Sequence, residues 1–356
     1  MDPDAVAAAE RVPHGGSTDA DVLDFSANLN PRTPEGVSEV YRDAFADAGR
    51  YPDDAYPDYR EAAGEYVGCD AEDVIPTPGG LAAIRLAIEV TVGAGDSVLV
   101  PAPSFGEFAR EVRLQGAEPT FVAHDRLLAS DPGDHALAVA CTPNNPTGDA
   151  YDPVALRAFA ARCRDAGTPL LVDEAFLGFT DLPSLAGEPG VIVARSLTKL
   201  FGLPGIRMGF AVATGDLGDR LTTARRTWNL SAPAAAVGAH CMRDGPFVAK
   251  TCERVREERA RLRDGLSDRF GVHASDAPFL LLDVSGASGS ESGSDPGAAD
   301  GGNGTPTDVD AILEVARDRG IVLRDARTFR GLDSHVRVAV LDRDANDRLL
   351  EVLTHV

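Results

Sequence analysis

Of the 34 lysine and arginine residues in this 356-residue chain, two are lysines, and one of them, Lys199, stands in "RSLTKLFGLPGIRMG" at 195–209. Arginine would supply a surface charge equally well, but its guanidinium stays protonated, whereas lysine can become a neutral amine that attacks a carbonyl carbon. Ser196 and Arg207 lie three residues before and eight after it, spacings at which a hydroxyl and a guanidinium can reach one phosphate. Asp173 closes the apolar run "LLVD"; opposite a ring nitrogen it would be kept ionised by the ring's charge. In "TPGGLAAIRLAIEV" a glycine pair opens a helical pattern, so the backbone N–H groups of Gly80 and Leu81 are candidate donors to an anion. Phe105, closing the Pro103-Ser104-Phe105 turn, offers a flat ring, and Asn145 of "NNPTG" an amide donor.

Singly, each residue has a plainer explanation: Asp173 a cap, Phe105 core packing, Ser196 and the glycine pair ordinary turn residues. Their joint order at the ends of successive apolar runs is much harder to reach by accident, because open α/β sheets bind ligands outside the carboxyl ends of their strands. An amine for an imine, an acid for a ring nitrogen, and a cation with backbone amides for a phosphate together match pyridoxal 5′-phosphate.

The elements that must position these residues read as an α/β alternation. "DSVLVPAPSF", "ALAVACTPNNP", "PLLVDEAFLGF", "VIVARSLT" and "GFAVAT" are short apolar runs that end in polar, Gly or Pro residues, as strands buried on both faces do. Between them "DPVALRAFAARCRDAG" has Asp152 as N-cap, Pro153 at the first helical position and Gly167 as terminator. A mostly parallel sheet over about residues 70–230 is expected, then a charged helix over about 246–270. A smaller α+β unit follows, built from "FLLLDV", "TDVDAILEVARDRG", "IVLRDA", "HVRVAV" and "DANDRLLEVL". Residues 285–306, nearly all Gly, Ser, Asp and other small residues, have almost nothing to bury and read as a disordered insertion. The expected division is an N-terminal arm and part of the small domain at 1–45, a large domain at 46–240 and a small domain at 241–356.

A net charge of −22, spread along the chain, argues against nucleic-acid partners and suits a surface adapted to high salt. No apolar run approaches 18 residues and the start lacks a secretory pattern, so a cytoplasmic protein without membrane contact is expected. Cysteines 69, 141, 163, 241 and 252 form no CxxC pair, which leaves no metal expected and predicts reduced, mostly buried thiols.

Six stretches, "HGG" (14–16), "DFSANLNP" (24–31), "CTPNNPTG" (141–148), "DEAFLGF" (173–179), the lysine segment and "RGLDSHVRVAV" (330–340), resemble the fold type I pyridoxal-phosphate enzymes of the class I/II aminotransferase family. Within it they are most similar to the branch of threonine-phosphate decarboxylases, which act in cobalamin biosynthesis, and of the related histidinol-phosphate aminotransferases. The resemblance runs from about residue 14 to 353 and implies a mostly parallel seven-stranded sheet, a smaller α+β domain and a homodimer acting on a phosphorylated amino acid. It implies Lys199 as the Schiff-base lysine, Asp173 as ring-nitrogen partner and Asn145 as donor to the cofactor's phenolic oxygen. Ser196, Arg207 and the Gly80–Leu81 backbone would hold the phosphate, joined by Tyr51 from a second subunit. Arg337 would bind the substrate carboxylate, Arg324 and His14 its phosphate end. Two departures stand out: "TPGGLAA" lacks the polar side chains that relatives usually carry there, and Phe176 replaces the tyrosine of many aminotransferases.

Residue identity does not separate decarboxylation from transamination, since both need the same lysine, aspartate and arginines. A non-catalytic ligand sensor is disfavoured by the retained lysine and the lack of a basic recognition helix. A dinucleotide-binding dehydrogenase is disfavoured because "GAGDSV" lacks the last glycine of the phosphate-binding fingerprint.

Overall fold

The computed structural model describes residues 1–285 and 308–354. Its central sheet has seven strands, β1 to β7 in chain order: Val74–Thr77, Ser97–Ala102, Glu118–Ala123, Leu137–Cys141, Leu170–Asp173, Val191–Ser196 and Gly209–Val212. Their spatial order is β1-β7-β6-β5-β4-β2-β3. β2 to β6 run parallel to one another, and β7 runs antiparallel to both β6 and β1. The expected seven-stranded, mostly parallel sheet is present with that one reversal.

Alternation along the central strands buries both faces. Ala138, Ala140, Leu170, Val172, Val191 and Val193 enter one apolar core, while Val139, Leu171, Ile192 and Ala194 enter the other. Strands buried on both sides read as continuous apolar runs, which is why five of them were legible. The other two were not read as strands. β1 is four residues with Pro76 inside it, and β3 is a half-exposed edge strand carrying Pro119, a position where a missing N–H costs nothing.

The helix Pro153–Ala166 forms as its caps predict: the Asp152 carboxylate accepts from the amides of Val154 and Ala155, and Gly167 takes a left-handed φ of 76°. The charged helix covers Gly245–Leu266 and ends short of residue 270, because Phe270 turns into the core. A second, antiparallel sheet holds Gly271–Val272, Phe279–Asp283, Arg324–Asp325 and His335–Ala339. "IVLRDA" is not one strand: Ile321–Val322 pairs in parallel with Leu23–Asp24, and Arg324–Asp325 joins the second sheet. The chain start is thereby tied to this sheet, with Ala339 N donating to Phe25 O at 2.9 Å. The insertion expected at 285–306 lies outside the described residues beyond Ser285.

Removing the Asp152 cap tests the local logic. Asp152→Ala is expected to lower stability by about 1 kcal/mol, read as a shift in the urea unfolding midpoint with an unchanged slope.

Candidate active site

In-register pairing brings the ends of the parallel strands together: Cys141 lies opposite Asp173, and Asp173 opposite Ala194. Two residues further along β6, Ser196 lies opposite Gly209 of β7. At this edge a cavity of about 340 Å³ is lined by Lys199, Asp173, Asn145, Ser196, Arg207, Gly80, Leu81, Phe105, His14, Arg324 and Arg337. Residues scattered over more than 300 positions therefore share one space.

Lys199 sits in the turn after β6. Its backbone oxygen accepts from Asn30 N at 3.0 Å, and Gly202 of the same turn has φ 63° with the chain at Asn30 and Arg32 pressed against it. A Cβ there would stand 2.5 Å from Asn30 O, so the "DFSANLNP" segment backs the lysine turn directly. Lys199 Nζ donates to Ala27 O at 3.4 Å and makes no ion pair among the described residues. Burial, with the charges of Arg337 and Arg207, pushes its amine down to about 8.

Asp173 is 5% exposed. Its carboxylate accepts from Ala175 N at 3.0 Å, has the Cys141 thiol at 3.9 Å, and forms no ion pair among the described residues. Burial pushes it up to about 6. At that value it is mostly ionised at neutral pH, at a cost in burial, and a cation brought by a ligand would hold it ionised more firmly than any pairing among the described residues does.

The glycine turn makes a cradle. Gly79 has φ 99°, where a Cβ would stand 2.9 Å from Arg207 Nη2, and a Cβ on Gly80 would be 3.0 Å from that of Ser196. No side chain caps the helix Gly80–Thr91, so its first-turn amides remain available to an anion. The Ser196 and Thr198 hydroxyls, 2.9 Å apart, close the far side. Arg207, itself at φ 60°, bonds only the carbonyls of Pro204 and Pro78. An aldehyde-bearing heterocycle with a phosphate suits these residues: the amine, the unpaired buried acid and the amide cradle each lack a partner that such a ligand has.

Arg337 is 4% exposed and also has no carboxylate partner among the described residues. It donates to Asn145 Oδ1 and, at 2.8 Å, to Ser26 O, with the Phe279 and Phe329 rings at 5.1 and 5.7 Å. Burial and the charge of Arg324 lower it to about 9. Because Asn145 gives its oxygen to Arg337, its amide N–H groups stay free to donate. Arg324, likewise buried, donates to Pro13 O at 2.6 Å and to Thr328 Oγ1 at 2.9 Å.

Tyr51 is the one expected site residue that this cavity does not contain. It is 77% exposed and stacks on Trp228 with ring centroids 4.2 Å apart. Several lining residues went unassigned in the sequence: Asn28, Thr198, Phe176, Thr328 and Phe329. Asn28 lay inside a stretch already singled out, and a buried Asn at φ 49° is a backbone position that asparagine tolerates better than most residues.

Residues 20–353 match the family described as aminotransferase class I and II. The chain belongs to that family. It is 29% identical to the threonine-phosphate decarboxylase of Salmonella typhimurium over 357 residues, covering 94% of this chain and 91% of that one. It is 27% identical to histidinol-phosphate aminotransferase 2 of Archaeoglobus fulgidus, covering 95% and 94%. The solved structure of histidinol-phosphate aminotransferase from Sinorhizobium meliloti in complex with pyridoxal-5′-phosphate superposes with a TM-score of 0.82 at 20% identity, covering 99% and 96%. This family member is an enzyme, and among its described residues no helix is long and apolar enough to cross a membrane.

The two shifted groups generate predictions. The Lys199 amine of cofactor-free protein should react with a small aldehyde, trapped by borohydride, at a rate that climbs until about pH 8 and then levels off. A solvent-like lysine would keep climbing to about pH 10. Asp173, whose folded value of about 6 exceeds the ordinary 3.8, opposes folding wherever it is ionised. Cofactor-free Asp173→Asn protein is thus expected to melt above the parent at pH 7, the gap closing as pH falls through 6 towards 4.

Proposed function

We propose that this enzyme decarboxylates L-threonine O-3-phosphate to carbon dioxide and 1-aminopropan-2-yl phosphate, a step of cobalamin biosynthesis. Its cofactor is pyridoxal 5′-phosphate. The observation that carries the reading is the pair of buried arginines, Arg337 and Arg324, which line the amine's cavity and lack carboxylate partners among the described residues. Two such guanidiniums suit a small amino acid with two separate anionic groups, a carboxylate and a phosphate. Similarity to the decarboxylase of Salmonella typhimurium supports the same substrate.

When bound, the cofactor accepts the electron pair released at the substrate's α-carbon. Lys199 holds the cofactor between turnovers and yields its place to the substrate amine. Asp173 keeps a proton on the ring nitrogen, and the resulting pairing holds its own carboxylate ionised. Ser196, Thr198, Arg207 and the amides of Gly80 and Leu81 grip the phosphate, Asn145 donates to the phenolic oxygen, and Phe105 covers the ring. Arg337 binds the substrate carboxylate while Arg324 and His14 take the substrate phosphate. After the Cα–carboxylate bond breaks, Lys199 delivers a proton to Cα.

The alternative is transamination of histidinol phosphate or a related amine, favoured by the likeness to the Archaeoglobus fulgidus protein. It would use the same residues and differ in the bond broken at the substrate's α-carbon, with Lys199 taking the Cα proton where decarboxylation has it return one to Cα. We place Tyr51 in the cavity of a partner subunit, a reading supported by its exposure outside its own, and retain the division at about residues 45 and 240.

Loaded protein incubated with L-threonine O-3-phosphate should release carbon dioxide and form no amino acid from an added keto acid; the reverse pattern selects transamination. Lys199→Arg should lose the covalent cofactor attachment that borohydride reduction fixes in the parent, and at least about a thousandfold of turnover. A stable, fully active monomer in gel filtration would remove the shared role of Tyr51.

A further inference from the structure

The first residues of the chain lie along one helix and finish over the cavity. Asp2 N donates to Leu114 O at 2.8 Å, and Arg110 Nε to Glu10 O at 3.0 Å, both from the helix Glu107–Leu114. Val12 packs on Gly106, where an added Cβ would meet it at 2.9 Å. Pro13 O then accepts from Arg324 Nη2 on the other side of the cavity. Residues 2–14 thus make a strap from that helix to the second sheet, with His14 at its cavity end.

Glu107 is the contact that orients this end. It begins its helix, yet it is 4% exposed, and its two oxygens face different partners: Oε1 meets His14 Nε2 at 2.9 Å, and Oε2 accepts from Arg110 Nη1 at 3.3 Å. Arg110 continues to Glu111 at 3.2 Å, itself buried, and Glu111 to Arg85 at 3.5 Å. Glu107 does not line the cavity, whereas His14, Arg324 and Thr328 do. With Nε2 engaged by a buried carboxylate, the half-exposed ring of His14 is tethered at that end and Nδ1 is its remaining polar atom.

We propose that Glu107 is a positioning residue for recognition of the substrate's phosphate. Through Nε2 it sets His14 so that Nδ1 faces the space beside Arg324, and the anion subsite is complete only while the strap is docked on the helix. Glu107 acts through His14 and touches no substrate atom. The proposal rests on the reading above that the substrate carries a phosphate.

The test uses cofactor-loaded protein titrated with O-phospho-L-threonine and with L-threonine, followed by the visible absorption band, together with steady-state kinetics. Glu107→Gln is expected to weaken binding of the phosphorylated compound about tenfold and to raise KM alike, with kcat within about twofold and L-threonine binding unchanged. His14→Ala should show the same pattern, and the double variant should be no worse than either single one, because one interaction is lost only once. Glu107→Asp, which keeps the carboxylate, should recover part of the affinity and completes the comparison if the glutamine variant folds poorly. Parent-like phosphate preference in Glu107→Gln, or losses that multiply in the double variant, would overturn the positioning role alone. A parent protein that binds both compounds equally would overturn the substrate class and this proposal together.

Discussion

The site depends on charges that are buried without counter-charges. Lys199, Arg337, Arg324 and Asp173 border one cavity, and none forms an ion pair among the described residues. Elsewhere the arginines mostly behave otherwise: Arg225 pairs with Asp54 at 2.7 Å and Arg261 with Glu258 at 2.5 Å. Those pairs are half-buried, and each of their charges has a counter-charge beside it. Unpaired buried charges cost far more, and the shifts of the lysine, the aspartate and Arg337 towards their neutral forms express that cost. A ligand with an aldehyde, a ring nitrogen and a phosphate, followed by an anionic substrate, would supply the partners these groups lack.

What keeps these groups apart is the sheet. Parallel strands in register present their carboxyl ends at one level, so the acid at the end of β5 and the hydroxyl at the end of β6 are held by backbone pairing, not by contacts between their side chains. Both faces of those strands are packed, and the Asp173 carboxylate is further held by the amide of Ala175. The amine is fixed independently, by a turn whose glycine admits the backbone of residues 30–32. The second sheet then brings Arg337 from the far end of the chain, between two aromatic rings.

Much of this was legible beforehand. The caps of the helix Pro153–Ala166, the five apolar strands and the lysine, aspartate and glycine turn carry local signals whose physics needs no distant partner. Edge strand β3 and the proline-bearing β1 were not legible, since their pairing comes from neighbours and not from pattern. "IVLRDA" was legible as part of the smaller unit, but not its division, because its two halves answer to different partners, the chain start and the strand of Arg337.

The sequence by itself determined the chemistry on offer: a rare amine among guanidiniums, an acid at a strand end, a glycine turn opening a helix, and strands apolar enough to be buried on both sides. Those follow from residue type and short spacing. Only the tertiary structure decided that Asp173 has no ion-pair partner among the described residues, that Asn145 spends its oxygen on Arg337, that Tyr51 lies outside its own cavity, and that Glu107 grips His14. Each is a matter of long-range proximity and burial, which set the electrostatics of a group and are properties of the packed chain.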